Sequence, residues 1–171
     1  MKHILFIASL IMVTFSSASF AANQVRDENT VEIEWLDLIP ESERARISDE
    51  TLAALDHSAN VAQQALVGSV RPELNGSNVK IPGFVIPLEG DSESISEFLL
   101  VPFYGACIHV PPPPPNQIIY VKFEEGTPTK DLWDIVYITG TLKTETVISD
   151  DIGVESGYSI EGASLEIYNK V

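Results

Sequence analysis

Cysteine and basic residues are scarce in this chain of 171 residues, and each scarcity excludes a class of protein. The one cysteine, Cys107, cannot form a disulfide within the chain, so no disulfide framework stabilises the fold. Ten lysines and arginines stand against 25 aspartates and glutamates, which gives a formal net charge of −15. A surface of that charge repels phosphate backbones and anionic lipid headgroups, so we expect no nucleic acid partner.

The apolar run at the start of the chain, residues 4–15, is shorter than the roughly 20 residues that a membrane span needs. It follows Lys2, and Ser19 and Ala21 occupy the small-residue positions that a signal peptidase reads. We therefore expect residues 1–21 to be a signal peptide cleaved after Ala21. No cysteine lies near that cut to carry a lipid, so the exported protein is expected to be periplasmic and not inserted in the membrane.

The remainder has the length of one domain, and its patterns divide it into three parts. Residues 22–30 form a polar leader, residues 31–75 an extended and helical N-terminal arm, and residues 76–171 a β-rich domain. In the arm, Ser48 caps a predicted helix whose apolar stripe is formed by Leu52, Leu55, Ala59, Ala62 and Leu66. His57 falls on the opposite side of that helix, which predicts a solvated side chain. Gly68 ends the helix.

From Val79 onward the apolar residues recur with a period of two, which is typical of strands. Gly83 and Gly140 lie inside strong strand patterns and indicate bulges or tight bends. Short strands with bent interiors after a helical arm predict an α+β chain, mainly β, built around a small OB-like β-barrel of five to six strands. A β-sandwich is the alternative. The predicted strands are 79–88, 98–102, 118–123, 135–143 and 164–168, with weaker signals at 147–148 and 158–160.

One unusual segment, residues 107–117, is the place where chemistry is expected. Its five consecutive prolines, 111–115, have no amide donors and a fixed φ, so they form a stiff left-handed rod of roughly 3.1 Å per residue. Just before the rod, strand alternation places the side chains of Cys107 and His109 together on one face. The thiol and the imidazole therefore form a pair beside a rigid loop.

Three interpretations of this pair remain open. Cys107 can be a buried, inert thiol beside a hydrogen-bonded His109. The two side chains can be half of a soft-metal site, with zinc as the first expectation and further ligands unidentified. They can also form a nucleophile pair in which His109 lowers the pKa of the thiol, although no orienting acid accompanies them.

Sequence signatures of the common enzyme classes are missing. The chain has no G-x-x-x-x-G-K-[ST], no G-x-S-x-G, no H-E-x-x-H and no C-x-x-C. The acidic stretch at 91–94 lacks the glycine turn of a calcium loop. We therefore expect a protein that is not an enzyme.

Four sequence strings resemble an exported proteobacterial family of unknown function, DUF3299. They are W-L-D-L-I-P at 35–40, I-P-G-F-V-I-P-L at 81–88, F-L-L-V-P at 98–102, and G-A-C-I-H-V-P-P-P-P-P-N-Q at 105–117. Members of that family are similar to periplasmic proteins or lipoproteins. Several are encoded beside ABC-transporter components linked to zinc supply. The resemblance implies no activity, and this chain lacks the cysteine that lipidated members carry near the cleavage site.

Two functional expectations follow from the motif and the resemblance together. The first is a periplasmic accessory protein that binds zinc or another soft metal through Cys107 and His109, or supports a periplasmic or membrane transporter component. The second is a protein-interaction module without a metal. Its expected partner-binding residues are Phe103, Tyr104, Pro111, Pro112, Pro113, Pro114, Pro115, Asn116 and Gln117.

Overall fold

The period-two pattern from Ser77 onward forms long strands, because alternate side chains of a strand point to opposite faces of a sheet. The computed structural model describes residues 29–44, 64, 68–106, 112–128, 135–150 and 152–168. Short 3-10 helices lie at Trp35–Leu38, Pro72–Leu74 and Pro115–Gln117. The strands are β1 Val31–Glu32, β2 Ser77–Gly90, β3 Ser94–Val101, β4 Ile119–Pro128, β5 Val136–Lys143, β6 Val147–Ser149, β7 Val154–Ser156 and β8 Tyr158–Ile167.

Five of these strands close into a barrel with the order β2-β3-β4-β8-β5, and β5 pairs again with β2. Neighbours in the ring are antiparallel, except that β4 and β8 run parallel. This closed ring confirms the predicted OB-like barrel and excludes the sandwich. The short β1 pairs in parallel with β2 outside the ring, and β6 pairs with β7 in a separate hairpin.

The two strand glycines lie where the barrel bends. β2 pairs with β5 up to Gly83 and with β3 from Phe84 onward, so this one strand changes partners at Gly83. A register shift falls between Thr139 and Gly140, where β5 pairs with β8. A Cβ on Gly140 would lie 2.2 Å from the carbonyl oxygen of Glu161, so only glycine permits this approach of the two strands.

The main core fills the barrel, and a second apolar cluster lies outside it. Inward-facing residues of every barrel strand form the main core, together with Ile33 and Leu38 of the N-terminal arm. On the outer face of the β2-β3-β4 side, a buried cluster is formed by Leu99, Val101, Ala106, Ile118 and Val154. Both faces of β3 are therefore buried near its end, which explains the unbroken apolar run at 98–101.

Only part of the predicted arm can be compared with the structure. The chain is helical at residues 41–44, after Pro40. The signal peptide, the helix predicted from Ser48 and His57 lie outside the described residues, and these predictions stay predictions. No helix among the described residues is both long and apolar enough to cross a membrane.

Candidate functional site

The connection between β3 and β4, residues 102–118, carries every residue for which the sequence predicts a functional role. The structure describes 102–106 and 112–118 of this connection. Cys107, His109 and Pro111 lie outside the described residues, so the structure gives no placement for the predicted thiol–imidazole pair. The described parts divide into a buried half, which ends in Asn116 and Gln117, and an exposed half with Phe103 and Tyr104.

The described prolines pack against the chain itself. Pro113 and Pro115 are buried, and Pro112 and Pro114 are half-buried. Pro114 has the φ of −61° and ψ of 157° of a polyproline helix, and the 3-10 turn begins at the next residue. Prolines have no amide donors, but two of their carbonyls accept hydrogen bonds. The Pro113 carbonyl accepts a hydrogen bond from Gln64 Nε2 (2.9 Å), and the Pro115 carbonyl accepts one from the Gly157 amide (2.7 Å).

Asn116 is buried, with 1% of its surface exposed. Its Nδ2 donates to the Ser69 carbonyl (3.1 Å), whereas no hydrogen-bond partner is found for its buried Oδ1 in the part of the chain that the structure describes. The side-chain amide lies against Gly68, which has a φ of +139°. A Cβ on Gly68 would meet all three terminal atoms of Asn116 at 2.8 Å. Asn116 thus binds the end of the N-terminal arm and is not available to a partner.

Gln117 and Tyr158 bind the other part of the arm. Gln117 Nε2 donates to the Trp35 carbonyl (2.9 Å). The buried Tyr158 hydroxyl donates to the Leu38 carbonyl (2.8 Å) and accepts from the Arg71 amide (2.6 Å). Burial raises the pKa of Tyr158, which keeps this hydroxyl protonated. Gln117 therefore stabilises the contact between arm and barrel.

The side-chain amide of Gln64 hydrogen-bonds to backbone groups in the way that the main chain of a neighbouring strand does. Its Nε2 donates to the carbonyls of Pro113 and Glu155 (2.9 and 2.7 Å), and its Oε1 accepts from the Glu155 amide (2.8 Å). One amide side chain thus connects the polyproline segment to the β6-β7 hairpin. No local pattern indicates this role, because Glu155 is 91 residues away along the chain.

The first part of the connection contains two exposed aromatic residues. Phe103 is 45% exposed and Tyr104 is 58% exposed. The Tyr104 ring meets Phe84 of β2 edge-on, with 6.1 Å between the ring centroids. Phe84, Ile86 and Leu88 pack on the outer cluster, and all three are half-buried. We call these five residues, Phe84, Ile86, Leu88, Phe103 and Tyr104, the outer patch.

An acidic surface adjoins the outer patch on the same face of the barrel. Glu97 of β3 pairs in register with Glu89 of β2 and with Lys122 of β4. Lys122 Nζ lies 2.7 Å from Glu97 Oε1. Hydrogen bonds from Lys122 and Tyr120 lower the pKa of Glu97. The pKa of Lys122 is raised by the hydrogen bond to Glu97 and by the charges of Glu97, Glu89 and Glu124, with partial opposition from desolvation.

A cleft of about 190 Å³ lies elsewhere, between the start of the arm and the turn before β2. It is lined in part by Arg44 and Arg71. Arg44 lies 3.1 Å from Glu41, and Arg71 lies 2.8 Å from Glu73. Because these positive charges are already paired, the cleft is a weak candidate for binding an anion. Among the residues that the structure describes, no three His, Cys, Asp or Glu side chains are grouped to hold a metal ion.

Comparison with known proteins agrees with the predicted resemblance. A family model described as "Protein of unknown function (DUF3299)" matches residues 35–167. The chain belongs to the DUF3299 family. It is also similar to the crystal structure of a DUF3299 family protein from Pseudomonas aeruginosa PAO1, with 36% identity and a TM-score of 0.65, over 82% of this chain and 97% of that chain. No curated protein matches.

The part of the outer patch that lies on β2 was not predicted from the sequence. The signal was present in the I-P-G-F-V-I-P-L string of this DUF3299 member, where residues on both faces of one strand are apolar. A barrel strand has one face in the core, and its outer face is usually polar because it meets water. Apolar side chains on the outer face therefore indicate that another part of the protein or a partner covers it. The outer cluster covers part of it, and the outer patch is the remainder.

Proposed function

We propose that this protein is an exported, non-catalytic docking module, and that it binds a protein partner through the outer patch. The observation behind the proposal is the pair of exposed aromatic residues Phe103 and Tyr104. The Tyr104 ring contacts Phe84, which packs against the buried outer cluster. Aromatic residues are enriched at protein interfaces, and a joined apolar surface costs free energy while it faces water.

The buried half of the β3-β4 connection supports this assignment. Docking surfaces bind more tightly when they are held in one conformation before the partner arrives. The polyproline segment, Asn116 and Gln117 are packed and hydrogen-bonded against the arm, so they fix one end of the connection. We therefore assign Pro112–Pro115, Asn116 and Gln117 to supporting the surface, and Phe103 and Tyr104 to contacting the partner.

Metal binding by Cys107 and His109 ranks second. It rests on their spacing in the sequence and on the resemblance, and a zinc site needs three or four ligands in all. Both side chains lie outside the described residues, so no contact in the structure carries this function. A periplasmic or membrane transporter component, the partner expected from the resemblance, is compatible with docking through the outer patch and needs no bound metal.

Site-specific photo-crosslinking in the cells that export the protein tests the docking surface. A photoreactive phenylalanine analogue is placed at Phe103, at Tyr104 or, as a control, at Ile167, which is 38% exposed at the end of β8. We expect Phe103 and Tyr104 to give the same discrete crosslinked product, and Ile167 to give none. Identical products from all three positions, or none from the patch, would contradict the proposal.

A measurement of zinc content on the same exported protein distinguishes metal binding from docking. Stoichiometric zinc that is lost in both Cys107→Ser and His109→Ala would establish metal binding as the function of that pair. A crosslinked partner that is retained in both variants would assign docking to the outer patch independently of the pair.

A further inference from the structure

The charges beside the outer patch indicate which kind of partner segment fits it. Cross-strand rows on the outer face run from apolar to acidic. Ile86, Leu99 and Tyr120 are paired in one row. Towards the turn between β2 and β3, the next row contains Glu89, Glu97 and Lys122. A segment lying across this face would therefore meet apolar side chains first and carboxylates next.

The acidic row contains a feature that the fold alone does not favour. Glu89 pairs with Glu97 of the neighbouring antiparallel strand at a β-bulge, with register shifts on both sides of Glu89. Like charges paired across strands destabilise a sheet. Lys122 bonds to Glu97, but its own charge interacts with those of Glu97, Glu89 and Glu124. One ammonium thus faces three carboxylates, and Glu89 and Glu124 are exposed. A cation supplied from outside would relieve this repulsion.

We propose that the partner is a protein segment that presents apolar side chains flanked by lysine or arginine. This inference rests on the proposed docking function and adds the chemistry of the partner. The apolar side chains pack on the outer patch, and the cationic side chains reach Glu89, Glu97 and Glu124. The net charge of −15 would speed the approach of such a segment, and charge complementarity would set its orientation.

Two synthetic peptides probe this proposal with the full exported protein. They share the same apolar residues and differ only in their flanking residues, which are lysine in one and glutamate in the other. We expect the lysine peptide to bind at least tenfold more tightly at low salt, with affinity that falls as salt screens the charges. Equal affinity for both peptides, or binding of neither, would overturn the proposal.

Three protein variants locate the effect. The double variant Glu89→Lys/Glu124→Lys is expected to weaken binding of the lysine peptide at least tenfold, and Lys122→Gln to strengthen it severalfold. Glu41→Lys, a surface control in the N-terminal arm, should change it less than twofold. An equal loss with Glu41→Lys would mean that only overall charge matters, and the assignment to this row would fail.

The double variant Phe103→Ser/Tyr104→Ser distinguishes failure of the cationic-partner proposal from failure of the docking function. Suppose that this variant no longer binds the partner identified by crosslinking, while the lysine and glutamate peptides bind equally well and the charge variants do not change their affinity. Docking through the outer patch then stands, and the proposal of a cationic partner is wrong. If the crosslinked partner still binds the patch variant as tightly as the wild type, the docking function itself is wrong.

Discussion

At the scale of single residues, Asn116 and Gly68 form a close contact where the polyproline segment meets the arm. The Asn116 amide fills the space that a side chain at position 68 would need. The φ of +139° at Gly68 is also one that other residues rarely adopt. Two independent requirements therefore select glycine at this position.

Gly68→Ala should destabilise the protein by about 2–4 kcal/mol, because backbone strain and overpacking against Asn116 add together. Thermal unfolding of the purified protein measures the change. Gly76→Ala is the matched control, since Gly76 also has a positive φ, +80°, but a Cβ added there would meet no atom within 4 Å. Equal losses of stability in the two variants would show that contact with Asn116 contributes nothing.

Motif residues could be recognised from the sequence, but their roles could not. Asn116 and Gln117 stood out because they follow five prolines, and the sequence placed them on a partner-binding rim. In the structure their side chains bond to the carbonyls of Ser69 and Trp35, which are 47 and 82 residues away. Local pattern carries no information about contacts at such separations. Phe103 and Tyr104 are exposed in the structure, and their role in partner binding stays a prediction.

At the scale of elements, strand patterns predicted the barrel well because a closed sheet needs an inward apolar face on every strand. The 79–88 pattern became β2, and the 135–143 pattern became β5. The signals at 158–160 and 164–168 proved to be one strand, β8. A register shift inside β8 breaks its alternation, so the sequence showed two short pieces where the backbone is continuous.

Protonation of two carboxylates should weaken the β2-β3-β4 side in acid. The Glu97 pKa is lowered by the hydrogen bonds from Lys122 and Tyr120, and the Asp91 pKa by the backbone amides of Glu93 and Ser94. A lowered pKa in the folded state gives stability that is present above the unfolded pKa of about 4 and is lost as pH falls through the folded value.

Melting temperatures of the wild type and Glu97→Gln at pH 7, 5 and 3 check this sign. The wild type should be the more stable at pH 7, and the difference should shrink as the pH falls and Glu97 takes up a proton. Gly76→Ala changes no titrating group, so its difference from the wild type should not follow the same trend. A Glu97→Gln difference that grows in acid would show that the sign is wrong.

At the scale of the whole molecule, the arm and the barrel share one core. Ile33 and Leu38 of the arm belong to the barrel core, and the Tyr158 hydroxyl bonds to the arm at Leu38 and Arg71. The sequence separated the arm from the barrel at residue 75 because the pattern changes there. Change of pattern marks a change of secondary structure, and it does not show whether the two parts pack together.

Tyr158→Phe should lower the stability of the whole molecule, because it leaves the Arg71 amide and the Leu38 carbonyl without this partner. Each unpaired buried group costs about 1–3 kcal/mol, so the two together predict a loss of about 2–6 kcal/mol. Tyr137→Phe is the control, since that hydroxyl bonds to Glu32 at the surface, and it should change the melting temperature little. A Tyr158→Phe protein with the melting temperature of the wild type would show that the hydrogen bonds of this hydroxyl do not hold the arm to the barrel.

Equilibrium binding of the partner captured by crosslinking tests whether the outer patch binds a protein. The affinities of the wild type and of Phe103→Ser/Tyr104→Ser are compared for the purified partner, with melting temperatures as the check on folding. We predict at least a tenfold loss of affinity in the double variant at an unchanged melting temperature. Undiminished affinity in a folded double variant would contradict the claim.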